Sequence, residues 1–508
     1  MRVAFLAAEC EPWAKTGGLA DVVDALARAI GRVGDGEVDA PVDVFLPRYR
    51  GIPVPSDVAR RQVARVPDPL APEGVTDVTV ITVPADGYRL RLVDHPPAFD
   101  RDGLYGDDAG DYPDNAWRFG LLSRAVIETL RTDERRPDVL HLHDWHACAA
   151  VLQRDRWYVD DPAVSAMAVL LTLHNLAYHG WTPATRLREL GFAVGDPPVD
   201  AGADGLDLLR AGIERAELVN TVSPGFAAEA LTPEYGMGLD GTLRSLGDRF
   251  TGILNGLDAA VWDPATDRDI AATYSRDDLR GKATARFDLL ERVGFDGADG
   301  GSVLGMIGRL DRQKGFDLLA AAAPSIVERG ARLIVQGAGD PEQLAALRRL
   351  AAERPDRVAL VERFDRVMAR RIYAGADLFL MPSRFEPCGQ GQMIALRYGT
   401  PPIVRRTGGL ADTVVDDLQR PGEGTGFVFG PATPEALLDA VGRAIERHAA
   451  GGDEWAALQR RGMALDFDWA TGSAPRYLDA YGRAVAIRRE NDGGRGPGRR
   501  DVSAGRGP

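Results

Sequence analysis

Lysine is nearly absent from this chain: only three of its 61 basic residues are lysine, at positions 15, 282 and 314. Arginine serves as the basic residue everywhere else. A compact ammonium makes a point contact with phosphate that the planar fork of arginine does not always reproduce. Lys15 directly precedes a Thr-Gly-Gly turn and Lys314 precedes Gly315. We therefore interpret Lys15 and Lys314 as candidate phosphate-binding residues.

Three other shortages exclude whole classes of protein. The three cysteines, Cys10, Cys148 and Cys388, cannot form a paired disulfide framework and fit a reducing cytosol, so we expect a cytoplasmic protein. No apolar run approaches the roughly 18 residues of a membrane span, and the short run before Glu9 predicts a buried strand rather than a signal peptide. A net charge of −14 argues against a general nucleic-acid binder.

Short apolar runs alternate with helical patterns along most of the 508 residues. Near-continuous apolar strands separated by helices predict parallel sheets that are covered on both faces, an α/β fold. The predicted strands are Val3–Ala8, Val42–Leu46, Val78–Val83, Val139–Leu142, Val169–Thr172, Leu218–Thr221, Val303–Ile307, Leu333–Gln336, Val358–Val361, Leu378–Met381 and Pro402–Val404.

The length of the chain predicts two doubly wound domains. We place them at residues 1–258 and 265–470, with a linker at Trp262–Asp267. A terminal helix at 471–489 is expected to brace the first domain. The tail at 490–508 is rich in glycine, arginine and proline and is expected to be disordered.

The motif Thr-Gly-Gly-Leu-Ala-Asp-x-Val occurs twice, at Thr16–Val23 and Thr407–Val414. A Gly-Gly pair before an apolar run predicts a tight turn that opens a helix. Unpaired N–H groups and the helix dipole make such a turn an anion site. One site near each end of the chain suggests that two halves bind one phosphorylated ligand.

Five of the seven histidines lie between positions 141 and 179. His143 and His146 are close enough for a shared metal, but no local cysteine or glutamate completes the set. A loop that presents Asp144 and His146 to a polar ligand is the preferred interpretation. His174, beside Asn175 at the end of the next predicted strand, is either a ligand contact or a satisfied core histidine.

The second half offers cations and a carboxylate. Arg309 and Lys314 follow a predicted strand and provide counter-charge for a leaving diphosphate. In Ser383-Arg384-Phe385-Glu386-Pro387-Cys388-Gly389, the carboxylate of Glu386 either hydrogen-bonds sugar hydroxyls or forms a buried salt bridge in an ordinary loop. The first interpretation is preferred. Cys388 is either a nucleophile, for which no histidine lies nearby in sequence, or a small buried residue.

Together these motifs resemble the bacterial glycogen synthase and plant starch synthase family, glycosyltransferase family 5. The resemblance runs from Val3 to about Tyr481. It implies a GT-B fold, in which two Rossmann-like doubly wound parallel-sheet domains face each other across a cleft that closes on the donor. It also implies transfer of glucose from ADP-glucose to the non-reducing end of an α-1,4-glucan, with retention and without metal or cofactor.

The resemblance also implies roles for individual residues. In the first half, Lys15, Gly17 and Gly18 would contact the donor, and Asp21 would help to order the closed site. His174 would meet the glucose 6-hydroxyl, and Asp144 would lie near the acceptor or the reacting sugar. Phe99–Tyr105 would form the aromatic acceptor loop.

In the second half, Arg309 and Lys314 would neutralise the departing diphosphate, and Glu386 would hold glucose hydroxyls. The rest of the implied substrate-binding set consists of Asn255, Gly389, Thr407, Gly408 and Gly409, the last two through N–H groups directed at the phosphates.

The sequence departs from the family pattern at two places, and two alternative functions stay open. Gln390-Gly391 stands where the family often has Leu-Thr, and Ile394 stands where related transferases often carry a second glutamate. The alternative functions are the same fold using UDP-glucose or another acceptor, and a catalytically inactive glucan-binding protein. We expect no nucleic-acid partner and no membrane association.

Overall fold

A computed structural model describes residues 1–33, 38, 41–55, 57, 60–134, 136–192, 202–297 and 300–493, without the side chains of 492 and 493. Most of the predicted tail, 494–508, lies outside the described residues. The described chain forms two compact units. The first comprises Met1–Thr221, Ala230–Ile253 and Trp469–Pro508, and the second comprises Val222–Glu229 and Leu254–Asp468.

The strands have the following bounds: β1 (Val3–Leu6), β2 (Val42–Pro47), β3 (Arg60–Pro67), β4 (Val75–Pro84), β5 (Tyr88–Asp94), β6 (Gly106–Asp107), β7 (Gly110–Asp111), β8 (Val139–His143), β9 (Ala168–Leu173), β10 (Trp181–Pro183), β11 (Gly205–Asp207), β12 (Leu218–Thr221), β13 (Phe250–Gly252), β14 (Val303–Ile307), β15 (Arg332–Gln336), β16 (Val358–Val361), β17 (Leu378–Met381), β18 (Pro402–Arg405) and β19 (Phe427–Phe429).

The α-helices are α1 (Gly18–Val33), α2 (Pro96–Phe99), α3 (Asn115–Thr132), α4 (Trp145–Trp157), α5 (Pro162–Ser165), α6 (Leu187–Leu190), α7 (Leu208–Arg215), α8 (Pro224–Ala230), α9 (Asp240–Ser245), α10 (Arg280–Val293), α11 (Phe316–Glu328), α12 (Pro341–Glu353), α13 (Arg366–Gly375), α14 (Gly391–Arg397), α15 (Gly408–Thr413), α16 (Pro434–Ala450), α17 (Gly452–Met463) and α18 (Ala474–Gly493). Short 3₁₀ turns at Ala184–Arg186 and Gly247–Arg249 and a π turn at Trp469–Ser473 complete the helical elements.

The first unit is built on a nine-stranded sheet in the order β13-β12-β9-β8-β1-β2-β5-β4-β3. The strands from β13 to β5 pair in parallel. β4 and β3 then extend the edge in antiparallel fashion, an extension that the sequence analysis did not predict. The central strands are buried along their whole length, as expected of strands covered on both faces.

The terminal helix α18 packs on the first unit, against β8, β9, β12 and α1. It begins at Ala474 and continues to Gly493, past the predicted end at 489. The buried hydroxyl of Tyr481 lies 2.9 Å from Nδ1 of His141 on β8. Arg488 forms an ion pair with buried Glu217, 3.2 Å away.

The second unit is built on a six-stranded sheet in the order β16-β15-β14-β17-β18-β19, and all of its pairs are parallel. Three of its helices, α12, α13 and α16, begin at side-chain caps. The Asp340 carboxylate accepts the N–H groups of Glu342 and Gln343 before α12, and Thr433 accepts the N–H of Ala436 at the start of α16.

The carboxyl ends of parallel strands are where α/β sheets place their ligand sites. In the first unit the loops after the adjacent strands β1, β8 and β9 carry most of the predicted site residues. In the second unit they follow the adjacent strands β14, β17 and β18. Among the described residues, no helix combines the length and apolar character needed to cross a membrane.

Candidate functional site

In the first unit, the turn between β1 and α1 holds a carboxylate of the protein itself. Glu9, which is buried, accepts the N–H groups of Thr16 (2.6 Å) and Gly17 (3.1 Å) and the Thr16 hydroxyl (2.7 Å). The sequence analysis expected these N–H groups to be unpaired. Instead, they are paired with a carboxylate of the protein itself.

The same turn is open on its outer side. A Cβ atom added at Gly17 or Gly18 would meet nothing within 4 Å, and both glycines are exposed. The Lys15 ammonium lies 2.6 Å from Asp21 and 3.1 Å from Glu11, and 43% of its side chain is exposed. A ligand phosphate can therefore approach Lys15 and the Gly17–Gly18 backbone from solvent.

Asp144 lies between β8 and α4 in an unusual backbone conformation, with φ 57° and ψ −176°. Its carboxylate accepts the main-chain N–H of His174 at 2.7 Å, which ties the loop after β8 to the loop after β9. Burial raises the pKa of Asp144 to about 7. The carboxyl group therefore titrates near neutral pH.

His143 and His174 are direct partners, with 3.0 Å between Nδ1 of His143 and Nε2 of His174. His146 is buried in an aromatic cluster and stacks on Tyr105 (4.6 Å between ring centroids) and Trp145 (4.0 Å). Within the described ranges, no three histidine, cysteine or carboxylate side chains converge as a metal site would require. His143 thus pairs with His174 rather than forming a chelate with His146.

The predicted acceptor loop divides into a buried part and a part at the site. Phe99 is fully buried and packs edge-on against Tyr49. Tyr105 donates its hydroxyl to Glu9 at 2.6 Å. Tyr105 therefore connects this loop to the glycine turn that follows β1.

In the second unit, Lys314 and Glu386 form an ion pair. The Lys314 ammonium lies 2.8 Å from Oε1 and 2.7 Å from Oε2 of Glu386, which also accepts the Ser383 hydroxyl at 2.9 Å. Because β14 and β17 are neighbours in the sheet, the loops that follow them bring these residues together. Arg309 lies on the first of these loops with 71% of its side chain exposed, and it forms an ion pair with Asp311 on the same loop, 3.6 Å away.

The second Gly-Gly turn also holds a carboxylate, and unlike the first it is closed by packing. Glu229 accepts the Gly408 N–H at 2.9 Å and the Thr407 hydroxyl at 2.9 Å. The Gly409 N–H donates to the Glu386 carbonyl at 3.1 Å. Thr407, Gly408 and Gly409 are all buried. The N–H groups of Gly408 and Gly409 have acceptors within the protein, whereas the sequence analysis expected them to be unpaired.

The two glycines of this turn allow the Glu386–Cys388 segment to lie directly against it. A Cβ at Gly408, where φ is +43°, would lie 2.1 Å from the Glu386 carbonyl oxygen, and one at Gly409 would lie 2.2 Å from that of Cys388. The turn thus fixes the backbone that carries Glu386. Its glycines have a packing role that the sequence motif did not reveal.

Three further predicted positions surround this segment. Asn255 is buried, and its side-chain oxygen has no partner among the described residues. Gly389 has φ +75°, a conformation that favours glycine. Burial raises the pKa of the Cys388 thiol to about 12, so Cys388 is a small buried residue and not an activated nucleophile. Ile394 is buried in α14 as part of the core.

Sequence reasoning missed the two glutamates that occupy the turns. Glu9 follows directly after the first predicted strand, and this position was the only available signal. Glu229 meets Thr407 from a distant part of the chain, and no motif links them. Among the described residues, Phe364 is the most exposed large hydrophobic residue, at 73%, and it follows β16 at the same edge of the sheet as Arg309. The sequence analysis did not single it out.

Comparison with known proteins supports the resemblance. A family model for the starch synthase catalytic domain matches residues 2–245, and one for glycosyl transferases group 1 matches residues 301–447. A glycogen synthase of Anaeromyxobacter sp. (strain Fw109-5) is 43% identical over 95% of this chain and 99% of its own. A glycogen synthase of Halorhodospira halophila is 42% identical over 96% of this chain and 100% of its own.

Solved structures give the same result. The catalytic domain of starch synthase IV from Arabidopsis thaliana, bound to ADP and acarbose, superposes with a TM-score of 0.84 at 32% identity. The match covers 96% of this chain and 99% of that domain. A sucrose-phosphate synthase from Thermosynechococcus elongatus, at 20% identity and a TM-score of 0.59, shares the fold.

Proposed function

The chain belongs to the glycogen synthase family of glycosyltransferases, and on that premise we propose that it transfers glucose from ADP-glucose to the non-reducing end of an α-1,4-glucan. The observation that carries the proposal is the Lys314–Glu386 pair, next to exposed Arg309 at the carboxyl edge of the second sheet. The ADP and acarbose bound to the similar starch synthase IV domain support an ADP donor and a glucan acceptor.

Each group in the second unit would have a distinct task. Lys314 and Arg309 would stabilise the negative charge that develops on the diphosphate as the glucosyl bond breaks. Glu386 already accepts hydrogen bonds from Lys314 and Ser383, which orients its carboxylate to accept glucose hydroxyls. We infer that it holds the sugar and is not the nucleophile of a covalent intermediate.

Without such a nucleophile, retention of configuration at the anomeric carbon requires that the acceptor hydroxyl attack from the same face of the sugar that the diphosphate leaves. The leaving phosphate would then take the proton of the attacking hydroxyl. Two cations near that phosphate, Arg309 and Lys314, keep it an adequate leaving group while the sugar carries positive charge.

The first unit would contribute contacts to both substrates. Lys15 and the open Gly17–Gly18 backbone would bind donor phosphate, with Asp21 holding the ammonium in position. His174 would contact a glucose hydroxyl. Asp144 would orient the His174 loop through their hydrogen bond.

The remaining predicted contacts would act mainly through the backbone. Gly408 and Gly409 would hold the Glu386 segment in place, since their N–H groups already have protein acceptors. Thr407, Gly389 and Asn255 border the same segment. The exposed ring of Phe364 offers a flat surface on which the nucleotide base can stack.

The decisive experiment is the incorporation of radiolabelled glucose into glycogen from ADP-glucose and from UDP-glucose in parallel. We expect ADP-glucose to be used far more efficiently. A preference for UDP-glucose would overturn the donor assignment, and no transfer from either would favour a glucan-binding protein.

The same assay run with excess EDTA tests metal independence. The two cations can supply the charge that a divalent ion would otherwise provide, so activity should persist in chelator. Loss of activity with EDTA and recovery with Mn²⁺ or Mg²⁺ would show that a metal ion takes part.

A further inference from the structure

A chain of three histidines lies behind the His174 loop in the first unit. His141 and His143 project from β8 to the same side, and their ring centroids are 4.1 Å apart. His143 in turn meets His174, with 3.0 Å between Nδ1 and Nε2. Burial lowers the pKa of each of these rings well below its usual value, so all three are neutral at physiological pH.

A hydrogen bond between two neutral imidazoles requires one N–H and one bare nitrogen, so it fixes the two tautomers together. The other nitrogen of His143, Nε2, is buried and has no partner among the described residues. Its ring lies against Phe5, with 5.2 Å between centroids. The tautomer of His143 therefore depends on whether a protonated or an unprotonated Nε2 costs less free energy in this buried position.

A buried N–H without an acceptor is rarer and more costly than a buried acceptor without a donor. Nε2 of His143 is therefore bare and its Nδ1 carries the hydrogen. Nδ1 of His143 then donates to Nε2 of His174, which leaves the hydrogen of His174 on Nδ1. That nitrogen has no partner in the part of the chain that the structure describes.

We propose that His143 is a positioning residue that holds His174 in the Nδ1-protonated tautomer, so that His174 presents an N–H donor to a substrate oxygen. This inference rests on the proposed function in one respect only, namely that the acceptor of this hydrogen bond is a glucosyl hydroxyl. The tautomer itself follows from the contacts of His143 and His174.

His141 provides an internal comparison because its contacts require the opposite tautomer. The Thr172 hydroxyl donates to the side-chain oxygen of Asn220 at 2.7 Å, so its oxygen must accept the hydrogen on Nε2 of His141, also at 2.7 Å. Nδ1 of His141 then accepts the Tyr481 hydroxyl. Within one strand, His141 should be Nε2-protonated and His143 Nδ1-protonated.

Nitrogen NMR of the full-length protein labelled with ¹⁵N-histidine tests the inference. Protonated and bare ring nitrogens resonate far apart, and the chain has only seven histidines. Single variants His141→Asn, His143→Asn and His174→Asn assign the signals. We expect His143 and His174 to be Nδ1-protonated and His141 to be Nε2-protonated; an Nε2-protonated His174 in the wild type would overturn the proposal.

Two substitutions at His143 then separate a positioning role from a purely structural one. His143→Phe removes the donor and should release His174 to the Nε2-protonated tautomer, with a loss in kcat/KM of about tenfold, the worth of one ordinary hydrogen bond. His143→Asn can still donate to Nε2 of His174 and should keep both its tautomer and most of the activity. His179→Asn, at a ring paired with Asp207, is the matched control and should leave the His174 signal unchanged.

The outcomes are distinguishable from those of the proposed function. If His143→Phe leaves the tautomer of His174 and kcat/KM unchanged, the positioning role is wrong. If His143→Phe does not fold, the wild-type spectrum and His143→Asn still decide the question. If neither sugar nucleotide supports transfer but His174 is Nδ1-protonated, the proposed function fails and the assignment of the tautomer stands.

Discussion

The three lysines of the chain have different partners, and their substitution should have different effects. Lys15 and Lys314 reach carboxylates from loops at the strand ends. Lys282 is buried and donates to the carbonyls of Ala374 (2.9 Å) and Tyr398 (3.1 Å) and to the Thr400 hydroxyl (2.6 Å). These buried hydrogen bonds therefore explain why position 282 is a lysine.

We predict that Lys15→Ala and Lys314→Ala each lower kcat/KM at least about a hundredfold, roughly 2.7 kcal/mol of transition-state stabilisation. Each substitution removes a cation that we propose binds the diphosphate of the donor. Initial rates with ADP-glucose measure the effect.

Lys282→Ala is the control and should lower activity per folded molecule much less, while lowering thermal stability. Its loss would remove an ammonium that donates to three buried oxygens, of which the Tyr398 carbonyl would keep the Tyr274 hydroxyl as a donor. Small and equal losses of activity at all three positions would contradict the lysine argument.

Asp144 predicts a specific dependence of stability on pH. Burial raises its pKa to about 7 in the folded protein, above its value in the unfolded chain. Between these two values the folded state holds a proton that the unfolded state has lost. The contribution of Asp144 to stability is therefore present at low pH and declines as pH rises to about 7.

Urea unfolding of wild type and Asp144→Asn across this range measures the effect. The free energy of unfolding of the wild type relative to the variant should fall from about pH 4 to about pH 7 and then level off, by about 1.4 kcal/mol per unit of pKa shift. The histidines titrate in both proteins and cancel in the comparison. A difference that does not vary with pH would mean that the Asp144 pKa is not raised.

The two Gly-Gly turns have the same sequence, but the first is open to solvent and the second is packed against the backbone of Glu386–Cys388. We predict that Gly409→Ala destabilises the protein by several kcal/mol, since its Cβ would overlap the Cys388 carbonyl oxygen at 2.2 Å. Gly18→Ala should be nearly neutral for folding because nothing lies within 4 Å. Thermal unfolding of both variants provides the comparison.

The KM for ADP-glucose provides a second comparison of the two turns. Gly18→Ala places a methyl group on the open face of the first turn, where we propose that phosphate approaches, so it should raise the KM for ADP-glucose without loss of stability. Equal destabilisation by the two alanines would contradict the difference in packing. An unchanged KM in Gly18→Ala would remove the first turn from the donor site.

The same two turns show where sequence reasoning succeeded and where it stopped. The motif predicted helix-opening turns with an affinity for anions, and both turns do open helices and bind carboxylates. It could not predict that those carboxylates belong to Glu9 and Glu229. The contact of Glu229 with Gly408 depends on the packing of distant segments, for which the sequence contains no local signal.

The strands likewise could be predicted where the local pattern is apolar and were missed where it is interrupted. All eleven predicted strands are confirmed, because each contains a nearly continuous apolar run, although β4 and β16 are only partly buried. β3 and β5 were missed because polar residues interrupt their apolar pattern, as in Arg89 and Arg91 of β5. Partners of these arginines, such as Asp43 on β2, become apparent only in the folded sheet.

For the whole molecule, the consequential feature is that the first unit is assembled from segments far apart in the chain. The π turn at Trp469–Ser473 and α18 belong to the same unit as Met1–Thr221. Tyr477 and Tyr481 of α18 are fully buried against the polar ends of β8 and β12 through His141 and Asn220. The core of the first unit is therefore complete only when α18 is in place.

We predict that a chain ending at Ser473 melts at least about 10 °C below the full-length protein. It loses two fully buried tyrosines, each worth about 3–5 kcal/mol by comparison with core aromatic truncations. It also leaves Glu217 without its Arg488 partner.

A chain ending at Gly493 is the matched control and should melt like the full-length protein, since a tail of glycine, arginine and proline has little apolar surface to bury. Differential scanning calorimetry of the three chains decides the matter: equal melting temperatures at Ser473 and Gly493 would show that α18 adds no stability to the first unit.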